Sequence, residues 1–252
     1  MPRIEETLNR LAITFTVKDI MTPCAGLVCG ANATQARSVS DENPDYDVIP
    51  IQQGGTLTGY FDRKAGRTRR ITPTDLIADG TSLLDLVDIL EKRQFCFVLT
   101  SQKIEGYVHY SDLNHQLVKL TFYVILEALE RSARNSIQGR SDGESLKRDL
   151  TPERFKQIDR AYKRAGRAAR DLVSYLNISD ILRLAAMAGP ISVEDRLIKS
   201  MKKVRDGAAH SLENLVSSYD DVATLANVKR ECLRVLSMPD WKAPVRLSVL
   251  PR

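Results

Sequence analysis

An order of short strands and helices runs through residues 16–62 and begins again through 71–113. This repeat limits the folds open to the chain more than any other feature. In the first pass, residues 16–23 read as a strand closed by Pro23, and residues 46–51 as a second strand. Residues 57–61 read as a third strand, reached through Gly54-Gly55. Residues 62–70 are basic and read as a connection. In the second pass, residues 71–77 repeat the opening, and Ser82 caps a helix through Leu83, Leu86, Val87 and Leu90. Residues 95–99 and 106–109 repeat the strands. The repeat length is roughly 50 residues, the size of one small supersecondary unit.

From about Asp112 onward the strand signals stop. Leu113, Leu117, Leu120, Val124, Ile125 and Leu129 predict one long helix, which would join the two halves. A short helix is also predicted over 2–11, and a loop over 139–143. Thr151-Pro152-Glu153 is a helix start with proline in the first turn. Further helices are predicted from Asn177 to about Gly189, from Ser192, and over 211–237. Pro239, Pro244 and Pro251 mark an irregular tail. The expected fold class is α+β: a β-α repeat pair over 1–112, an all-α bundle over 113–240 and a tail over 241–252.

With 252 residues and 43% hydrophobic content, such a chain can bury a core without metals or disulfides. No two of Cys24, Cys29, Cys96 and Cys232 have the spacing of a zinc site, and no metal is expected. No long apolar run or leader pattern is present, so a reduced cytoplasmic protein away from the membrane is expected. The net charge of +5 is uneven. Residues 131–170 hold 12 Lys and Arg against 5 Asp and Glu, which suits polyanions or a solvated helix face.

The sequence Val17-Lys18-Asp19-Ile20-Met21-Thr22-Pro23 resembles the opening of a cystathionine-beta-synthase (CBS) domain. Val48-Ile49-Pro50-Ile51 is similar to its middle strand, and residues 106–113 to its closing motif. The resemblance implies a tandem CBS pair (a Bateman module) that binds an adenine nucleotide, AMP, ADP or ATP, as a regulatory ligand. It implies Asp112 on the ribose, with Ser111 beside it and His109 where a hydroxyl residue is usual. Thr16 would face the same cleft, and Ile20, Met21, Val48 and Ile49 would wall the adenine. Asp112 would equally serve as a helix cap. In the first repeat Ala65 stands where the ribose carboxylate is expected, so one ligand per chain is expected rather than two.

Residues 205–210, Arg205-Asp206-Gly207-Ala208-Ala209-His210, form an Arg-x4-His motif that resembles that of HEPN domains. The resemblance implies metal-independent RNA cleavage shared across a homodimer. His210 would move the proton, Arg205 would hold the phosphate and Asp206 would orient one of them. The alternative is a non-catalytic sensor whose helical part serves dimerisation or partner and nucleic-acid binding. His109 and His115 have no serine or cysteine arrangement around them, and no phosphate-binding loop pattern occurs.

Overall fold

The computed structural model describes residues 14–137, 143–166, 171–188, 193–210 and 212–238. Two compact units divide between Leu117 and Val118. The helix expected over 2–11, most of the loop over 139–143 and the tail over 241–252 lie outside the described residues.

The first unit is built on two sheets. Thr16 opens a single 3-10 turn, Val17–Asp19, whose Asp19 carboxylate takes the Thr16 N–H at 2.8 Å. Strand β1 (Thr22–Pro23), helix α1 (Ala33–Glu42), and strands β2 (Val48–Gln53) and β3 (Thr56–Asp62) follow. The second pass opens on the same device: Thr72 N donates to Asp75 at 2.8 Å around a turn at Pro73–Asp75. Strand β5 (Leu76–Ala78), helix α2 (Leu83–Lys92), and strands β6 (Phe95–Thr100) and β7 (Lys103–His109) complete it. Gly54 and Gly55 take φ of 57° and 80°, the left-handed pair that a tight β2–β3 hairpin requires.

One helix was not expected and one local reading is corrected. Helix α1 has no apolar stripe, since only Ala36 and Ser40 are buried, so periodicity does not announce it. It is held instead by reciprocal caps: Gln35 N to Asn32 Oδ1 at 2.9 Å and Ala31 N to Gln35 Oε1 at 2.8 Å. The stretch expected as a connection, 62–70, contributes strand β4 (Arg67–Arg70), which pairs antiparallel with β3 and is exposed throughout. Its arginines suit an edge strand, where charge discourages further pairing.

The sheets do not each keep to one repeat. One has the order β2-β3-β4, the other β1-β7-β6-β5. Strand β1 leaves its own repeat and pairs with β7, setting Thr22 opposite Tyr107 and Pro23 opposite Gly106. Gly106 is required there, because a Cβ would meet Met21 Sδ at 2.4 Å. The sheets meet through aromatic rings: Tyr60, Phe95, Phe97 and Tyr107 lie with centroids 5.2–5.8 Å apart. Offset and edge-on contacts at such spacing add to the apolar burial.

The second unit is helical: α3 (Gln116–Ile137), α4 (Gly143–Asp149), α5 (Pro152–Ala165), α6 (Ile178–Ala188), α7 (Asp195–Ala209) and α8 (Asp220–Ser237). The long helix expected from Asp112 is preceded by a 3-10 turn at Tyr110–Asn114 and begins at Gln116. Ile125, Leu126 and Leu129 of α3, Ile181 and Leu182 of α6, Met201 of α7 and Leu225 of α8 are fully or nearly fully buried. Residues 212–219, expected as helix, are turns. Asp221 accepts from Ser217 N at 2.8 Å and Ser218 N at 3.1 Å, which starts α8 late. Among the described residues no helix is long and apolar enough to cross a membrane.

Candidate functional site

The β1–β7 crossover brings the two repeats around one cavity of about 390 Å³. Its size lies in the range of small-molecule sites. The first repeat supplies Thr22, Leu27 and Val28 from around β1, and Asp45, Tyr46, Asp47 and Val48 ahead of and within β2. The second repeat supplies Tyr107 and His109 at the end of β7, then Tyr110, Ser111 and Asp112 in the turn that follows.

That turn is fixed by its own side chains. Asp112 Oδ2 accepts the His109 N–H at 2.7 Å, the same Asp-to-backbone closure seen at Asp19 and Asp75. No other described residue donates to the Asp112 carboxylate. Burial pushes this carboxyl above its ordinary value, opposed by the His109 N–H. His109 Nδ1 lies 2.9 Å from Ser111 Oγ and 3.4 Å from Ser111 N, so Nδ1 accepts and the neutral ring carries its proton on Nε2. Nε2 comes within 3.3 Å of Asp47 Oδ2 without the alignment of a hydrogen bond. Burial lowers the His109 pKa, against the pull of Asp47 and Asp112. The ring lies nearly parallel to Tyr107 at 6.3 Å and tilted over Tyr110 at 4.2 Å. Tyr107 stays protonated, pushed up by burial and by Asp112 and Asp47.

Of the residues singled out in the sequence, Val48, His109, Ser111 and Asp112 line this cavity. Thr16, Ile20, Met21 and Ile49 do not. Ile49 has no exposed surface and packs with Ala36, Ile51 and Phe61. Ile20 is buried, Met21 sits under Gly106, and Thr16 caps its own turn. Asp45, Tyr46, Asp47, Tyr107 and Tyr110 also line the cavity and were not among the residues expected there. Their only signal was a polar and aromatic run bordering each strand. In the first repeat the corresponding turn is capped in the opposite sense, with Asp62 Oδ1 accepting from Ala65 N at 2.9 Å.

The Arg-x4-His segment closes α7. His210 is the exposed C-cap residue, its N–H donating to the Asp206 carbonyl at 3.1 Å. Asp206 pairs with Lys202 at 2.6 Å and with Arg205 at 3.7 Å. His210 and Asp206 border a shallow depression with Lys199, Lys202, Lys203 and Glu213, and Arg205 is not among its walls. The basic 131–170 stretch is not one patch. Arg154 is bound to buried Asp180 at 2.7 Å, and Arg134 holds Glu130 and the carbonyls of Val173 and Leu176. Lys156, Arg160, Lys163 and Arg164 of α5 are exposed.

No protein-family model matches the chain, and no curated protein matches it. Similar solved structures are those of the CBS domain of the bacterial CNNM/CorC family Mg2+ transporter. The domain in complex with ATP is 18% identical over 46% of this chain and 95% of that one, with a TM-score of 0.36. The domain in complex with an inhibitor is 18% identical over 46% and 83%, with a TM-score of 0.34. A third structure of the domain is 17% identical over 46% and 82%, with a TM-score of 0.35. Roughly the N-terminal half resembles a CBS domain pair, and the helical part is unidentified. Likeness this distant says nothing about what the chain binds.

Proposed function

We propose that residues 14–117 form a sensing module that takes an adenine nucleoside or nucleotide in the cavity at Asp112, and that occupancy regulates the helical unit. The observation that carries this is the Asp112 carboxylate. One oxygen is fixed by the turn, the other has no donor among the described residues, and the group lines a cavity with aromatic walls. A carboxylate held this way suits the vicinal diol of a ribose, and the exposed Tyr46 ring at the same cavity offers apolar surface to a flat base.

Calorimetric titration of the full chain with adenosine, AMP, ADP, ATP and NAD tests the proposal. We expect saturable binding by at least one of them. Asp112→Ala should weaken it about tenfold or more, since hydrogen bonds to a charged group contribute about 1.5–3 kcal/mol. Absence of binding by all five overturns the reading. For occupancy to switch the helical unit fully, the ligand must favour one state by about 5 kcal/mol.

A second proposal concerns the helical unit, as an RNA-contacting and RNA-cleaving domain of a homodimer. The observation behind it is the three lysines, Lys199, Lys202 and Lys203, beside His210. In this arrangement the lysines contact phosphate next to the histidine, in place of the role first assigned to Arg205. Cleavage of a mixed-sequence RNA that His210→Ala abolishes supports it. Salt-dependent binding that ignores position 210 would reduce the unit to a binding module.

A further inference from the structure

We propose that strand β4 is a docking edge for an acidic segment of another protein, which adds to the sheet beside it in extended conformation. This goes beyond the sensing proposal, since no residue of 62–70 lines the cavity at Asp112. Strand β4 ends the order β2-β3-β4, and among the described residues no strand pairs with its outer side. An edge strand turns the N–H and C=O of every second residue outward, and all four residues of β4 are exposed. Its backbone is therefore open to one more strand.

Charge selects the occupant. Residues 62–70 hold Arg63, Lys64, Arg67, Arg69 and Arg70 against one carboxylate, Asp62. Two of these cations are committed, Arg63 to the carbonyls of Ser40 and Asn43, and Arg69 to Asp62 at 3.2 Å. Lys64, Arg67 and Arg70 are exposed, and no described carboxylate pairs with them. Gly59 stands opposite Arg70, so no cross-strand side chain covers it. Arg67 and Arg70 project from opposite faces of the sheet, because side chains alternate along a strand. A membrane or a duplex lying on one face would reach one of them. A strand lying along the edge reaches both, and its own side chains alternate in the same way. Single-stranded nucleic acid fits less well. The aromatic residues of the adjoining strand, Tyr60 and Phe61, are buried and offer no surface for stacking bases. The arginines that repel a second copy of β4 are thus the means of recognising a strand of opposite charge.

The test is fluorescence anisotropy on the full chain at low salt, with a labelled peptide of about ten residues that alternates glutamate and valine. We expect saturable binding, with half-saturation below about 1 mM. A peptide of equal charge with proline in place of each valine lacks alternate N–H donors, and it should bind at least about fivefold more weakly. Arg67→Glu/Arg70→Glu should weaken the glutamate–valine peptide about tenfold, because two attractive cross-strand pairs become repulsive. Arg67→Lys/Arg70→Lys should keep most of the affinity. The proposal is overturned by no binding, by equal binding of the proline peptide, by indifference to Arg67→Glu/Arg70→Glu, or by tighter binding of a uridine oligonucleotide of equal charge. None of these outcomes turns on whether the cavity at Asp112 binds a nucleotide.

Discussion

The two units handle their charged side chains in opposite ways. In the sheet unit, polar groups from residues far apart in the chain converge on one concavity, and a carboxylate, Asp112, has one oxygen to which no described residue donates. In the helical unit many charges lie along exposed faces and pair locally, Arg131 with Glu127, Lys163 with Asp159, Lys202 with Asp206, each one helical turn apart, while the buried Arg154–Asp180 pair ties two helices together. Strands end abruptly and pass into turns, so several chain ends meet at one rim. Helices spread side chains around a cylinder and satisfy them with the next turn. A pocket with unspent polar atoms is therefore a stronger pointer to function than a motif on a helix end.

The sharpest way to break this contrast is at the cores. Phe97 has no exposed surface and touches Tyr60, Phe95 and Tyr107. Phe97→Ala should cost about 3–5 kcal/mol in urea unfolding, with loss of any ligand titration at Asp112. A cost below about 1 kcal/mol would mean the aromatic cluster does not hold the sheets together.

The claim that the basic stretch is partly structural is tested next. Arg154→Ala leaves Asp180, 5% exposed, without its guanidinium. The expected cost is about 2 kcal/mol, below that of a fully buried pair because Arg154 is partly solvated. If stability is unchanged but RNA binding falls, Arg154 belongs to an interface instead.

His210→Ala should change stability by no more than about 0.5 kcal/mol, since the residue is exposed. A larger loss would show that position 210 is a structural cap, which would sharpen the contrast against the nuclease proposal.

The smallest expected effect is in pH. His109 has a folded pKa below its unfolded value, because burial disfavours the imidazolium. Its contribution to stability is complete above the unfolded value near 6.5 and declines as pH falls toward the lower folded one. Asp112 acts oppositely: its raised carboxyl makes the folded state hold its proton longer, so that contribution is lost as pH rises from the ordinary carboxylate range. NMR titration of the His109 ring should give a midpoint below that of an exposed histidine, and Asp47→Asn should lower it further. A midpoint at or above 6.5 would place the ring in solvent or in a true ion pair.

Much of the secondary structure was legible. The apolar runs in 48–51 and 95–99, the Gly54-Gly55 turn, Ser82 before an apolar helix and Thr151-Pro152 each act through neighbours in sequence. Helix α1 and strand β4 were not legible, because neither has an apolar stripe. One stands on caps and on a glycine beside Ala36, the other on hydrogen bonds to β3. Residues 212–219 misled in the other direction: their apolar Leu215 and Val216 are buried from turns.

The repeat, the change from strands to helices after it and a capping role for Asp112 follow from the residues alone. Those rest on backbone propensity and on contacts a few residues apart. Only the tertiary structure decided that β1 crosses to the other repeat's sheet. That crossing sets Thr22 beside Tyr107 and places Asp45, Asp47 and Asp112 on one cavity. The physical reason is that period-two alternation says which residues share a face. It does not say which sheet edge a two-residue strand will join, because hydrogen bonds to β7 and the space left by Gly106 settle that choice.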